Sequence, residues 1–100
     1  MLLEHNELLK RAYTELKEEI TRKIESLEQE INALSTLRLK SRISEDTLYF
    51  LGKDFDSSGL ELKIVVPENV DNQLEMLKSK LWRYERFLRT LESTSKRYGC

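Results

Sequence analysis

The chain has 100 residues, of which 35% are charged and 39% hydrophobic, with only three glycines and one proline. This composition excludes a disordered chain and favours long amphipathic helices, and the length fits one domain over residues 1–100. The net charge of −1 argues against a dedicated nucleic-acid binder. No apolar run reaches the roughly 18 residues of a membrane span, and Cys100 alone permits no internal disulfide bond, so we expect a cytoplasmic protein without a membrane partner.

The first predicted element is a long helix over about residues 3–40. Apolar side chains recur there at steps of three and four residues, and neither Gly nor Pro occurs before Gly52. One extra step of four residues, from Ile20 to Ile24, leaves Lys23 at a heptad position, so the supercoil should unwind locally. The apolar seam of this helix consists of Leu9, Tyr13, Leu16, Ile20, Ile24, Leu27, Ile31 and Leu34.

The connecting segment, residues 44–67, begins with a stretch that permits two interpretations. Ser44 can cap a short helix that ends at Gly52, because Ser accepts hydrogen bonds from free N–H groups and Gly tolerates a left-handed exit. Thr47–Leu51 is instead rich in the β-branched and aromatic residues that are typical of strands. The local pattern leaves both interpretations open.

The second half of the connecting segment predicts a strand. In residues 60–66, Leu60, Leu62, Ile64 and Val66 alternate with Glu61, Lys63 and Val65, and Pro67 terminates the pattern. Because a lone strand leaves its backbone unpaired, we prefer a β-hairpin in which Thr47–Phe55 pairs with Leu60–Val66. Pairing with the same strand of a second chain is the alternative.

The second predicted helix covers about residues 69–98 and carries an unbroken heptad repeat. Asn69 or Asp71 can cap its start, and Gly99 ends it. Ser95 breaks the apolar rhythm, so we expect the last turn to fray. The seam of this helix consists of Val70, Leu74, Leu77, Leu81, Tyr84, Leu88 and Leu91.

Charge indicates how the two helices meet. Residues 1–34 carry five basic and eight acidic side chains, whereas residues 72–100 carry seven basic and three acidic ones. These opposite net charges favour apposition, so the expected fold is mainly α: an antiparallel coiled-coil hairpin joined by a short β-hairpin-like segment. Apolar residues off the seams leave surface for other chains, and we therefore expect a homo-oligomer, a dimer or higher.

We predict no catalytic, cofactor or metal site. The chain has one histidine, His5, and one cysteine, Cys100, at opposite ends, so neither a catalytic triad nor a zinc site can form within one protomer. The three glycines are isolated and make no phosphate-binding loop. Protein–protein contact is therefore the expected mode of action.

One face of the second helix combines an aromatic residue with basic ones. Trp82 is followed by Arg83, Arg86 and Arg89, and such a set can contact phosphates and stack on bases. This face is a possible second interface, and it suggests an alternative function as a small dimeric nucleic-acid-binding or regulatory protein. We prefer the interpretation in which arginine covers the ring by cation–π contact or the ring packs between protomers.

The run Thr47-Leu48-Tyr49-Phe50-Leu51-Gly52-Lys53-Asp54-Phe55, set between two coiled-coil helices, resembles the connecting strands of prefoldin subunits. The resemblance implies that β-hairpins assemble into a platform with other coiled-coil subunits. It also implies that the free ends of the coiled coil hold unfolded polypeptides, or that the chain serves as an assembly adaptor. The client-holding residues would be Leu2, Leu3, Leu8, Leu9, Leu91 and Tyr98.

Overall fold

The computed structural model describes residues 2–99 and contains two long helices. Helix α1 covers His5–Leu51 and helix α2 covers Val70–Arg97, with one turn of 3-10 helix at Ser57–Gly59 between them. No strand occurs within residues 2–99. The mainly α fold class is confirmed. Neither helix combines the length and the apolar character that crossing a membrane requires.

The two helices pack antiparallel as a slender hairpin. Lys17 Nζ lies 3.9 Å from Glu92 Oε1, and the Arg38 guanidinium donates to the Asp71 carboxylate, so α2 runs back along α1 from residue 38 towards its start. The molecule measures 75 × 27 × 19 Å. We call the end where α1 begins and α2 finishes the free end, and the opposite end, with residues 39–66, the bend end.

The core is the narrow seam that the heptad repeats predict. Its buried apolar residues are Ile20, Ile24, Leu27, Val70 and Leu74. Lys23, at the extra step of four residues, is exposed. No side chain in the described part of the chain is completely buried, because a single pair of helices covers each seam from one side only.

Helix α1 continues eleven residues beyond its predicted end near Lys40. Thr47, predicted as part of a strand, is accommodated in the helix because its hydroxyl donates to the carbonyl of Ile43 at 2.7 Å. The helix ends at Gly52, whose φ of 86° is left-handed and whose N–H donates to the Leu48 carbonyl. The helical interpretation with its end at Gly52 is therefore correct, although Ser44 lies inside α1 and does not start a separate helix.

The preferred β-hairpin is not formed, because α1 incorporates Thr47–Leu51. Within residues 2–99, no backbone hydrogen bond joins residues 61–66 to another part of the chain. The alternate residues Leu60, Leu62 and Ile64 line a groove with the end of α1, at Ser41, Ser44, Glu45 and Leu48, although Leu60 and Leu62 remain exposed. This alternation is the two-residue period of an extended chain, so the strand-like pattern is present without a partner strand.

Helix α2 begins one residue after its predicted start and ends one residue before its predicted end. Asn69 precedes it, but the Asn69 side chain accepts from the Gln73 amide at 2.8 Å and does not cap a backbone N–H. The expected fraying at Ser95 does not occur. Ser95 is buried, and its hydroxyl donates to the Glu92 carbonyl at 2.7 Å, which leaves the helix intact to Arg97.

Candidate functional site

The free end of the hairpin contains an apolar cleft of about 260 Å³ between the two helices. Leucine and tyrosine side chains form most of its walls, and three small residues lie between them. The lining residues are Leu9, Ala12, Tyr13 and Leu16 from α1, with Leu91, Thr94, Ser95 and Tyr98 from α2.

The cleft exists because small side chains occupy positions where a closed coiled coil would place large ones. Ser95 follows Leu88 and Leu91 at the heptad spacing, so it points towards α1 as they do. A hydroxymethyl group cannot fill the space that a leucine would take, and Ala12 adds no bulk from the opposite helix. The seam therefore opens at this end.

A charged pair lies beside the cleft, towards the middle of the hairpin. The ammonium of Lys17 is 5.9 Å from the centroid of the Tyr13 ring and 3.9 Å from the Glu92 carboxylate. The cation is thus shared between a cleft-lining ring and α2. The ammonium of Lys17 therefore lies next to one wall of the cleft.

Three of the six predicted client-holding residues meet in this cleft: Leu9, Leu91 and Tyr98. The other three, Leu2, Leu3 and Leu8, are exposed at the same end, and Leu2 is 98% accessible to solvent. The heptad pattern places the cleft residues Tyr13 and Leu16 in a closed seam. The signal that could have identified them is Ser95, where the apolar repeat of the partner helix is interrupted.

The second predicted interface is organised around one cation–π contact. The Arg86 guanidinium carbon lies 5.4 Å from the centroid of the Trp82 ring, which is 53% exposed. Arg83 and Arg89 are exposed, and within residues 2–99 neither forms an ion pair. One face of the indole ring is therefore already covered by the chain itself, as the preferred interpretation of this face expected.

The ionisable groups of the described chain do not gather into a reactive centre. Within residues 2–99, no three carboxylate or imidazole side chains lie close enough together to hold a metal ion. One carboxyl group departs from its ordinary behaviour: the pKa of Asp56 is lowered because the hydroxyl and the backbone N–H of Ser58 both donate to it. Asp56 belongs to the exposed connection at the bend end, far from the cleft.

Comparison with known proteins identifies no relative of this chain. No protein-family model matches the sequence, and no curated protein or solved structure matches it either.

Proposed function

We propose that this chain is a non-catalytic coiled-coil protein that holds an apolar segment of another polypeptide at its free end. The observation that carries the proposal is the cleft between Leu9, Tyr13 and Leu16 on one helix and Leu91 and Tyr98 on the other. Its walls offer apolar contact with few hydrogen-bonding groups. Such a surface binds by burying hydrophobic area, which requires no particular client sequence.

The size of the cleft favours a peptide side chain over a free small molecule. Small-molecule sites usually enclose roughly 300–1,000 Å³ and cover most of their ligand. This cleft is smaller, at about 260 Å³, and it is open to solvent. It suits one or two aliphatic or aromatic side chains of a longer segment, and the exposed Leu2, Leu3 and Leu8 provide further apolar contacts nearby.

Self-association is the second part of the proposal. Five buried apolar side chains within residues 2–99 make a small core for a domain of this length, and assembly with further copies or with other coiled-coil subunits would enlarge it. A prefoldin-like platform would additionally require Thr47–Leu51 to leave α1 and pair with Leu60–Val66. An adaptor role requires no such rearrangement.

Filling the cleft tests the holding function. Ser95→Leu should occupy the open volume, raise the free energy of unfolding by about 0.5–2 kcal/mol, and abolish the binding of apolar segments. The assay is the aggregation of a chemically denatured client enzyme, followed by light scattering. The wild-type protein should suppress aggregation near equimolar ratio, and Ser95→Leu should not.

Ser79→Leu is the matched control, because Ser79 is exposed on α2 and the substitution adds the same apolar group outside the cleft. This variant should suppress aggregation as well as the wild-type protein does. The holding function is wrong if the wild-type protein fails to suppress aggregation or if Ser95→Leu suppresses it fully. A double substitution, Leu2→Ser with Leu3→Ser, should weaken suppression without changing the mass of the oligomer.

A further inference from the structure

Residues 61–66 form neither helix nor strand, and their backbone is unpaired within the described chain. Their N–H and C=O groups form no backbone hydrogen bond within residues 2–99. The alternate residues Leu60, Leu62 and Ile64 line an open groove beside α1, in which Leu62 remains 64% exposed. An edge of this kind is a template for strand addition by another chain. The segment therefore has the alternating sequence of a strand, but no partner strand forms hydrogen bonds with it within the described chain.

The bend end also exposes more apolar surface than a monomer usually carries. The rings of Tyr49 and Phe50 contact each other edge to face, with centroids 5.8 Å apart, and are 82% and 84% exposed. These two rings alone offer roughly 300 Å². The further exposed apolar residues of the bend end are Leu39, Ile43, Leu51, Phe55, Leu60, Leu62 and Val65. The whole set approaches the roughly 800 Å² that each partner contributes to a standard protein interface.

The segment is complementary to itself. In an antiparallel pair centred on Leu62, Glu61 of one strand lies opposite Lys63 of the other, and this happens twice because of the two-fold symmetry. Leu60 lies opposite Ile64 in the same register, and the two Leu62 side chains face each other. Sliding one strand by two residues moves the two-fold axis from Leu62 to Glu61 or to Lys63. Either register would place two like charges, the two Glu61 or the two Lys63 side chains, opposite each other.

We propose that two copies of this chain pair through residues 60–66 as antiparallel strands, with the two-fold axis at Leu62. The proposal specifies how the self-association within the proposed function takes place, and it does not depend on client holding. Six aliphatic side chains, Leu60, Leu62 and Ile64 from each copy, form the face towards the two α1 helices. Glu61 and Lys63 form the ion pairs on the other face.

This pairing also determines the shape of the dimer. The two hairpins point in opposite directions, and they overlap only along the last turns of α1. The resulting rod is roughly 130 Å long, given a protomer of 75 Å and a helical rise of about 1.5 Å per residue. Both free-end clefts lie at its far ends and remain accessible.

Charge exchange tests the register, because Glu61 and Lys63 are exposed and their substitution leaves the protomer core intact. Glu61→Lys alone or Lys63→Glu alone places like charges opposite each other twice, and each should weaken dimerisation about tenfold or more. An equimolar mixture of the two variants restores both opposite-charge pairs and should recover the wild-type dimer. Sedimentation equilibrium measures the dissociation constants, and circular dichroism verifies that the variants are helical.

Cysteine cross-linking in a Cys100→Ser background provides a second measurement. Glu61→Cys mixed with Lys63→Cys should form a disulfide-linked dimer, whereas each variant alone should not, because its two cysteines lie too far apart in this register. Efficient cross-linking of Glu61→Cys with itself would indicate parallel pairing or an antiparallel register centred on Glu61, and either would overturn the proposal.

The possible failures are distinguishable from one another. A wild-type protein that stays at 11.9 kDa at 100 μM concentration, roughly a hundredfold above the micromolar range, would refute self-association together with this pairing. A dimer that is insensitive to both charge substitutions would refute the pairing and leave self-association standing. Client holding is measured separately, by the Ser95→Leu experiment.

Discussion

We expect the apolar residues of the hairpin to contribute unequally to stability, with the more buried side chains contributing more. Leu74 is the most buried residue of the described chain at 3% exposure, whereas Met76, two residues away, is 72% exposed. Leu74→Ala should lower the free energy of unfolding by about 2–4 kcal/mol, because it leaves a cavity between the helices. Met76→Ala should change it by less than about 0.5 kcal/mol.

Urea denaturation at one fixed protein concentration measures both changes, since the stability of a dimer depends on concentration. Met76→Ala is the control for the loss of a large apolar side chain from α2. Equal losses for the two variants would mean that Met76 is covered by a second copy and that the seam is not the principal core.

Single residues also show where sequence reasoning fails at this scale. All five buried apolar residues of the described chain lie at predicted seam positions, but the helical period alone does not determine burial, since Leu16 at such a position is 37% exposed. Ser95 was wrongly expected to fray the helix. Its hydroxyl bonds to the Glu92 carbonyl within the same helix, so the residue is buried at little cost and the helix continues. The apolar pattern records only the absence of a large side chain at this position.

At the scale of elements, the part of α1 beyond Arg38 differs from the rest of the helix. Residues 20–27 pack against α2, whereas residues 46–51 extend past the start of α2 and carry exposed side chains apart from Leu48. Backbone amides of residues 46–51 should therefore exchange with deuterium at least about tenfold faster than those of residues 20–27.

Hydrogen exchange followed by mass spectrometry or NMR measures this difference, and dilution below the dimer dissociation constant removes any protection from a second copy. Equal protection of both regions in the monomer would mean that the last turns of α1 are stabilised by a contact other than those seen here.

The connecting segment shows which part of an element the sequence predicts. The alternation in residues 60–66 predicted a strand that is not formed, although the alternate residues Leu60, Leu62 and Ile64 do line one groove, as a two-residue period places them on one side. The strand in Thr47–Leu51 was wrong. Its β-branched and aromatic residues favour a strand only modestly, and that preference yields to helix propagation when no Gly or Pro intervenes before Gly52. Strand pairing is a property of two segments, and the pattern of one segment does not specify it.

At the scale of the whole molecule, the distribution of charge argues against the alternative function, nucleic-acid binding. Residues 43–71 carry two basic and seven acidic side chains. The basic residues of 72–100 lie on the helix that packs alongside residues 1–34, which carry eight acidic and five basic side chains. Phosphate binding through Arg83, Arg86 and Arg89 would be opposed by these neighbouring carboxylates.

We therefore expect no sub-micromolar binding to single-stranded DNA or RNA at about 50 mM salt, measured by quenching of Trp82 fluorescence. Binding that weakens steeply towards about 200 mM salt would favour the nucleic-acid alternative, provided that substitution of the three arginines by glutamine removes the salt dependence.

The cleft illustrates what the whole molecule adds to its elements. Each helix alone shows an apolar repeat, and Leu9, Leu91 and Tyr98 were expected near one another because an antiparallel hairpin brings the chain ends together. Tyr13 and Leu16 join them only in the observed alignment of the helices, which sets them opposite Ser95. That alignment depends on contacts between helices, and neither repeat determines it alone.

The two ion pairs between the helices select this alignment among those that the heptads permit. Lys17–Glu92 and Arg38–Asp71 are three heptads apart on both helices. A slip of α2 by one heptad in one direction would keep apolar residues facing each other but would place Arg38 opposite Lys78 and Lys17 opposite Gly99. The opposite slip would let Lys17 pair with Glu85 instead, but it would set Arg38 against Ile64, which lies outside α2, so only the Arg38–Asp71 pair opposes it. Each exposed pair contributes less than about 1 kcal/mol to stability. Together they discriminate against a misaligned hairpin, in which Ser95 would no longer face Tyr13 and the cleft would be lost.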